Sequence, residues 1–384
     1  MTVLARVGAR IHELDAIRGF ALGGILVANI GFFADPGFSA GSSELPMSGS
    51  VVSALLNTLV LTKFYVIFSF MFGYSFTLQM RSWGDKVKAR MLRRCLGLFT
   101  LGVLQGFLMW IGDILTLYAL LGLILLAARN IQPRTAVKAG CWIIGVSALI
   151  WLALGGLLML TGSAAPAEDA ANAERALAAM TGTPLTFLQY QVETYPTMAP
   201  LVWLGQGPMA MALFLFGLAA GKSRLFEERE RWAHLLPRIQ WLGFGIGLPA
   251  AALYTWSATG GEGWALVGMA MNNLTSLPLA AAYVVTLLRV IDRVPKVGAA
   301  LAPAGRAAAS NYIGQSVLAC LIFTAYGLGL AGELSPVAVM GVAALEYAVL
   351  LALSAWWMRG HRQGPIEWGL RAVTLCSAAP RRPR

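Results

Sequence analysis

The basic residues of this chain occur in alternate gaps between its long apolar runs. Of its 29 Lys and Arg residues, all but Lys63 and Arg175 lie at the termini or in every second gap. The other gaps carry acidic residues: Asp35, Glu44, Glu168, Asp169, Glu174, Glu193, Glu262 and Glu333. Because Lys and Arg accumulate in cytoplasmic loops, this alternation predicts a chain that crosses a membrane many times.

Apolar runs of about 20 residues recur, each long enough to cross a hydrocarbon core of ~30 Å. Only 12% of the residues are charged, against roughly 25% in soluble domains. Spans in lipid must satisfy their own backbone hydrogen bonds, which favours helices. The predicted fold is all-α, a polytopic integral membrane helix bundle forming a single domain over 1–384. Its ten predicted spans are 17–33, 52–79, 95–111, 114–128, 139–160, 200–221, 239–257, 265–288, 308–330 and 338–358.

The basic gaps and termini predict that both ends of the chain face the cytoplasm, in the inner (plasma) membrane of a bacterium. The first run is interpreted as a retained span, because the candidate cleavage site has the bulky Phe38 where a small residue is needed. The outer loop 161–199 is expected to contain interfacial helices, with Leu185, Leu188 and Val192 on one apolar face. Residues 372–384 are expected to form a flexible basic tail.

The net charge of +11 resides largely in short loops between spans. Anionic lipid headgroups on the cytoplasmic side are therefore the expected partner, and nucleic acid is not. The four cysteines show no disulfide framework or metal-type spacing, so no metal site is predicted.

A short hairpin surrounds Asp113. The spans on either side contain about 17 and 15 residues, and at 1.5 Å per residue they reach roughly 25 and 22 Å. This is less than the ~30 Å core, so Asp113 is expected at hydrocarbon depth, facing a cavity or a partner.

Lys63, Asp113 and Glu346 are ionisable residues inside predicted spans. Such residues are costly unless they are paired or hydrated. One interpretation is an ion pair of Lys63 with Asp113 or Glu346 that fixes helix packing. The other is a polar substrate cavity that includes all three residues.

Asp15 and Arg18 are three residues apart at the inner end of the first span, and therefore share a helix face. They are expected either to position the helix or to hold an anionic group such as a phosphate, which suits Arg. Most amides within spans are interpreted as bridges between helices. These amides are Asn29, Asn57, Gln105, Asn272, Asn273, Asn311 and Gln315.

The three histidines, His12, His234 and His361, all lie on the basic side. The chain contains no GxSxG, P-loop or HExxH motif. A histidine-dependent reaction at the outer face therefore has no evident base.

Five separated motifs stand out along the chain. They are Leu14-Asp15-Ala16-Ile17-Arg18-Gly19-Phe20-Ala21 running to Asn29-Ile30; Lys63-Phe64-Tyr65 with Phe68-Ser69-Phe70-Met71-Phe72-Gly73; Gly112-Asp113-Ile114-Leu115 with Tyr118-Ala119-Leu120; Gly305-Arg306 with Ser310-Asn311-Tyr312 and Gln315-Ser316; and Gly364-Pro365-Ile366-Glu367-Trp368 with Arg371. In this order they resemble the YeiB-like membrane proteins, the group called domain of unknown function 418.

The opening motif is also similar to the start of the transmembrane acyltransferase superfamily, which includes heparan-α-glucosaminide N-acetyltransferase and bacterial polysaccharide O-acetyltransferases. This resemblance implies that an acyl group passes from cytoplasmic acyl-CoA to an acceptor on the outer side. It also implies a histidine at the position of Gln105, where this chain has an amide, and an outer-side histidine that has no counterpart here.

Three functions follow as hypotheses. In an acyltransferase acting on a glycan, lipid or small metabolite, Asp113 would be the base or orienting acid and Lys63 would stabilise negative charge. Asp15 and Arg18 would hold acyl-CoA, and no covalently bound cofactor is expected. A transporter or flippase would use Lys63, Asp113 and Glu346, and a scaffold would pair them. The residues expected in a substrate cavity are Asn29, Tyr65, Ser69, Gln105, Tyr118, Asn311, Gln315 and Glu346.

Overall fold

The computed structural model describes residues 11–35, 49–161, 166–258 and 262–376, and within these ranges the chain is helical with no strand. Its helices are α1 His12–Ala34, α2 Val51–Leu59, α3 Lys63–Trp83, α4 Val87–Leu108, α5 Leu115–Ala127, α6 Pro133–Thr161, α7 Pro166–Thr181, α8 Pro184–Lys222, α9 Arg229–Trp232, α10 Leu236–Ser257, α11 Glu262–Arg293, α12 Pro295–Arg306, α13 Ala308–Phe323, α14 Pro336–Gly360 and α15 Pro365–Leu375.

The structure confirms the predicted helical membrane bundle. Among the described residues, 6 helical stretches are long and apolar enough to cross a membrane. One of them, Val51–Leu108, contains two predicted spans, and two shorter apolar helices cover 115–130 and 308–323. Each of the ten predicted runs is largely helical, while the count of ten crossings and their orientation stay predictions. We call the side where α1 and α4 begin and α8 ends the basic end, and the opposite side the far end.

The second predicted span, 52–79, is not one continuous helix. It breaks between α2 and α3, where Thr62 has φ 72°. A β-branched residue rarely adopts this left-handed backbone, so the surroundings must hold it there. The Thr62 hydroxyl lies 2.8 Å from Ser276 Oγ and 3.3 Å from Asn272 Oδ1, both on α11. The apolar run is continuous in sequence, and these contacts from a distant helix explain why it nevertheless breaks.

The expected outer loop 161–199 contains α7 and the first part of α8. Helix α8 has 39 residues, or about 58 Å at 1.5 Å per residue, so it continues without interruption from the expected outer loop into the predicted sixth span. Leu185 and Val192 of the predicted apolar face are exposed. On a different face of the helix Phe187 and Gln191 are buried, and Gln191 Nε2 donates to the Met109 carbonyl at 2.8 Å.

Two helices at the basic end fall where the sequence suggested a gap and a tail. Helix α12 lies within 289–306 and packs closely on α1. The absence of a side chain at Gly305 permits this contact, since a Cβ there would come within 1.8 Å of the Asp15 carbonyl oxygen. Helix α15 includes residues 372–375 of the expected tail, and residues 377–384 lie outside the described part of the chain. The basic end is therefore more structured than short loops would be.

Ion pairs fasten the segment after α8 at the same end. Arg229 pairs with Asp292, and this hydrogen-bonded carboxylate raises the pKa of the guanidinium. Arg81 Nη1 lies 2.6 Å from Glu227 Oε1. Both pairs join a loop to the end of a long helix.

Candidate functional site: a cavity along the bundle

A cavity of about 1140 Å³ runs inside the bundle from the basic end into the far half. This volume exceeds that of most drug-sized pockets, about 300–1,000 Å³. One face of α3 forms a continuous wall, with lining residues at helical spacing: Tyr65, Phe68, Phe72, Ser75, Gln79 and Ser82. From Tyr65 to Ser82 this wall extends about 26 Å at 1.5 Å per residue. The cavity therefore covers most of the thickness of a bilayer core.

The basic half of the cavity contains all of its charged lining residues. Arginines from α1, α4, α12 and α15 converge on it, and one carboxylate accompanies them. The set is Arg18, Arg90, Arg94, Arg306, Arg371 and Glu367. Five guanidinium groups against one carboxylate give the lining of this half an excess of positive charge, and guanidinium is a group that binds phosphate and carboxylate with two parallel hydrogen bonds.

Arg18 and Asp15 form the i, i+3 ion pair that their spacing predicts, with Nη1 2.8 Å from Oδ1. Arg18 Nη2 also donates to Ser75 Oγ at 2.6 Å. Of the two, Arg18 lines the cavity, and Asp15 is buried behind it. Arg94 lies nearby, and its buried Nε has no hydrogen-bond partner within the described residues.

Glu367 of α15 binds the start of α13 rather than an arginine head group. Its Oε1 accepts from Ala309 N at 2.6 Å and from Ser310 N at 3.2 Å, and its Oε2 accepts from Ser310 Oγ at 2.5 Å. A carboxylate at a helix N-terminus satisfies free N–H groups and complements the helix dipole. Glu367 thus fixes α15 beside the cavity.

Three of the eight residues expected in a substrate cavity line this one: Asn29, Tyr65 and Tyr118. Ser69 lies behind them, where its Oγ is 2.5 Å from the Tyr118 hydroxyl. The rings of Phe72 and Phe214 pack edge-on against Tyr118. This packing holds the tyrosine in the cavity wall.

The other three expected amides bridge helices. Gln105 Nε2 donates to Ser316 Oγ at 2.7 Å, and Gln315 Nε2 donates to the Leu22 carbonyl at 3.0 Å. Asn311 Nδ2 donates to Ser354 Oγ at 2.8 Å and to two carbonyls at the α12–α13 junction. None of the three lines the cavity. Gln105 occupies a packing position, which is compatible with an amide in place of histidine.

Lys63 is fully buried at the break between α2 and α3. Its Nζ donates to the Asn57 carbonyl at 3.1 Å and to Asn272 Oδ1 at 3.2 Å, and lies 5.9 Å from the centre of the Tyr254 ring. Asn57 belongs to the last turn of α2, whose carbonyls lack helical partners. Lys63 therefore closes the end of α2 from just behind the cavity wall.

Asp113 caps α5. Its Oδ1 accepts from Leu115 N at 2.8 Å, and its Oδ2 accepts from Thr116 N at 2.8 Å and from the Thr116 hydroxyl. Asp113 is 1% exposed and does not line the cavity, whereas Gly112, Ile114 and Leu115 do. The carboxylate thus sets the shape of a loop that forms part of the cavity wall.

Glu346 lies on α14, away from the cavity, and is 3% exposed. Neither of its carboxylate oxygens has a hydrogen-bond partner within the described residues. The expected ion pair of Lys63 with Asp113 or Glu346 is absent: Lys63 binds amide and carbonyl oxygens, and Asp113 binds the start of α5. Lys63 and Asp113 are thus each satisfied by neutral groups of the chain, whereas Glu346 is not.

Several cavity residues were not among the sequence candidates: Arg90, Arg94, Gln206, Arg306 and Arg371. Arg90 and Arg94 are spaced i, i+4 on α4 and so share a face. In the sequence they belong to a basic gap between spans, so their charge was interpreted only as setting the orientation of the chain. Across the described chain, no group of three or more His, Cys, Asp and Glu side chains could hold a metal ion.

A bundle of apolar helices around an elongated cavity with a basic half defines the class: a polytopic helical membrane protein with an internal ligand-sized cavity. The chain belongs to the YeiB-like family of proteins of unknown function, DUF418. The DUF418 model matches residues 220–377. "Uncharacterized protein YxaH" of Bacillus subtilis (strain 168) is 30% identical over 97% of this chain and 96% of its own length. "Uncharacterized protein YeiB" of Escherichia coli (strain K12) is 27% identical over 96% and 97%.

All five motifs that carry the family resemblance contribute to the cavity wall. One representative of each lines it: Arg18, Tyr65, Tyr118, Arg306 and Arg371. These residues are scattered over the chain, and the fold brings them to a single space.

Proposed function

We propose that this protein transfers an acyl group from acyl-CoA, bound at the basic end, to an acceptor that occupies the far half. The observation that carries the proposal is one continuous cavity with five arginines in one half and none in the other. Acyl-CoA has matching polarity, with phosphates at one end and a thioester at the end of a long neutral arm. Arginine is well suited to the phosphates, and the aromatic part of the α3 wall, formed by Tyr65, Phe68 and Phe72, suits the arm.

In the proposed reaction the nucleophilic atom of the acceptor bonds to the acyl carbon, and the carbon–sulfur bond breaks. The electron pair leaves with the sulfur, and the proton of the acceptor ends on that sulfur. The products are an acylated acceptor and free CoA. Tyr118 lines the cavity, and Ser69 lies close enough to donate to its hydroxyl oxygen. In the proposed reaction the Tyr118 hydroxyl turns from the Tyr65 carbonyl, 3.4 Å away, and donates to the thioester oxygen as negative charge develops there.

The predicted catalytic roles of Asp113 and Lys63 become positioning roles in this proposal. Asp113 shapes the hairpin tip that carries Gly112 and Leu115, and Lys63 holds the break at Thr62. Neither side chain is assigned contact with the acyl group.

Binding of labelled acetyl-CoA to the purified full chain tests the proposal. We expect saturable binding that unlabelled CoA competes away, followed by transfer of label to extracted membrane material. Loss of one charge-assisted hydrogen bond is worth about 1.5–3 kcal/mol, so Arg94→Gln is expected to weaken binding roughly tenfold or more. Arg134→Gln, an exposed arginine outside the cavity, is the matched control. Absence of binding by the folded protein contradicts acyl transfer.

A specific feature favours transport as a second candidate. The break between α2 and α3 places Val60, Leu61 and Thr62 in the cavity wall near the middle of a span, and discontinuous helices of this kind form binding sites in transporters. Reconstituted vesicles separate the two functions. Movement of an anionic amphiphile across the bilayer without transfer of label supports transport, and label transfer without such movement supports the enzyme.

A further inference from the structure

Three carboxamide side chains line the far half of the cavity and make no hydrogen bond with the described chain: Asn29 of α1, Gln206 of α8 and Asn273 of α11. Asn273 is 5% exposed, and its Nδ2 has no partner. Its neighbour Asn272 is fully engaged with Lys63, Thr62 and Ser276. The two adjacent amides of α11 therefore differ: Asn272 stabilises the break between α2 and α3, and Asn273 faces the cavity.

A buried amide without a partner is unfavourable, because it has lost its hydrogen bonds to water. Asn273 Nδ2 is such a group, and the half-buried Asn29 and Gln206 line the same space from two other helices. Together they indicate that a ligand provides the missing donors and acceptors. Carboxamides both donate and accept, so they match hydroxyl and carbonyl groups.

The far half selects against charge. Every charged residue lining the cavity belongs to the basic half, and among the described lining residues of the far half none is charged. A charged ligand group would lose its hydration there without gaining a counter-charge. The group bound by the amides is therefore neutral.

The remaining lining of the far half is apolar and aromatic. Its members include Phe32, Leu158, Val202, Leu266 and Met269. A free sugar carries a hydroxyl on most of its carbon atoms, and this wall would leave many of them without partners. A molecule with a small neutral polar group and a large apolar body fits both parts of the wall.

We propose that the acceptor is a neutral lipid with a free hydroxyl, held by Asn29, Gln206 and Asn273. Its role as acceptor rests on the proposed function, whereas its binding requires no acyl donor. In the transfer its hydroxyl oxygen forms the new ester bond, the thioester carbon–sulfur bond breaks, and the hydroxyl proton ends on the sulfur of CoA.

Photolabelling of the full chain in phosphatidylcholine nanodiscs tests the lipid site in the absence of CoA. The probe is a diacylglycerol with a diazirine on one acyl chain, and peptide mass spectrometry maps the attached label. We expect label on the cavity-lining positions of α8 and α11, with competition by unlabelled short-chain diacylglycerol. Asn273→Leu and Gln206→Leu should each lower this labelling about tenfold, as loss of a buried hydrogen bond predicts.

Gln189→Leu is the matched control, because Gln189 is an exposed amide on the same helix as Gln206 and lies outside the cavity. Its labelling should equal that of the unsubstituted chain. A thermal melt of each variant checks folding, and two variants on separate helices keep the test decisive if one of them unfolds.

Three results would overturn the lipid site. Label could be confined to lipid-facing side chains such as Leu201 and Leu204, which are 60% and 72% exposed. Methyl glucoside could compete as well as diacylglycerol, or both cavity variants could label as strongly as Gln189→Leu. Cavity labelling without acetyl transfer would instead support the lipid site and contradict acyl transfer, so the two failures are distinguishable.

Discussion

The basic half and the far half of the cavity share one wall, the face of α3, but their polar groups are opposite in kind. The basic half presents guanidinium groups, of which Arg18 is already bound to Asp15 and Ser75. The far half presents carboxamides that make no hydrogen bond with the described residues, among them the buried Asn273 Nδ2. One internal space thus contains two sets of polar groups, one suited to an anionic group and one suited to a neutral group, and Lys63 and the helix break lie near their boundary.

The largest expected effect comes from removing two charges from the basic half. The double variant Arg90→Gln/Arg94→Gln loses two charge-assisted hydrogen bonds, at about 1.5–3 kcal/mol each. We expect CoA affinity to fall roughly 100-fold or more, while diacylglycerol labelling of the far half stays unchanged. Equilibrium binding and photolabelling on the same preparation measure both. A parallel loss of lipid labelling would show that the halves are not independent.

A smaller effect, on stability, is expected from Lys63, which lies near the boundary between the two halves. Lys63→Met leaves the Asn57 carbonyl without its side-chain donor, at a cost of about 1–3 kcal/mol for an unsatisfied buried group. Asn272 Oδ1 loses one donor but keeps the Ser276 hydroxyl. The melting temperature in lipid-containing micelles should fall. Lys63→Arg keeps a cation at the position and serves as the comparison. An unchanged melting temperature in Lys63→Met would mean that the break does not depend on the ammonium.

Glu367→Gln addresses the single carboxylate of the basic half. It removes the charge that binds the start of α13, an interaction typically worth about 0.3–2 kcal/mol. We expect a modest fall in melting temperature together with tighter CoA binding, because the net positive charge of this half rises. Weaker CoA binding would indicate that α15 has moved and that its position matters more than its charge.

Salt should produce the smallest effect and separate the halves without any substitution. The Debye length falls from about 10 Å at 0.1 M to about 3 Å at 1 M ionic strength. CoA binding should weaken a few-fold over that range, while diacylglycerol labelling should stay constant or rise slightly. Equal salt dependence of the two ligands would contradict the division of the cavity.

Much of the fold was accessible from periodicity and charge, and less of the site was. The apolar runs predicted the helices, and i, i+3 spacing predicted the contact of Arg18 with Asp15. The break at Thr62 was not predictable, since its partner Ser276 lies on a helix about two hundred positions later. Asp113 and Thr116 have the spacing of a helix cap. This spacing could have predicted the capping contact, but Asp113 was interpreted instead as a buried functional acid.

Asn273 shows why the far half of the cavity was not predictable from the sequence. In the sequence it resembles any amide that joins two helices, and its neighbour Asn272 does join them. Only the arrangement of helices around the cavity distinguishes the two residues. Residue type gives the chemistry of a side chain, but whether that chemistry is already satisfied depends on the assembled fold.

The broken second span has a consequence for how the chain is made. Asn272 binds both the hydroxyl of the left-handed Thr62 and the Lys63 ammonium that holds the Asn57 carbonyl, and it lies 210 residues beyond Thr62. At roughly 5–20 residues per second, the ribosome needs about 10–40 s to supply that partner. During this interval α2 and α3 must either remain one straight helix or stay beside the insertion machinery, because bare backbone polar groups are excluded from lipid. The break between α2 and α3 is therefore expected to take its final geometry late in biogenesis, once α11 is in place, and the cavity wall that it forms is completed with it.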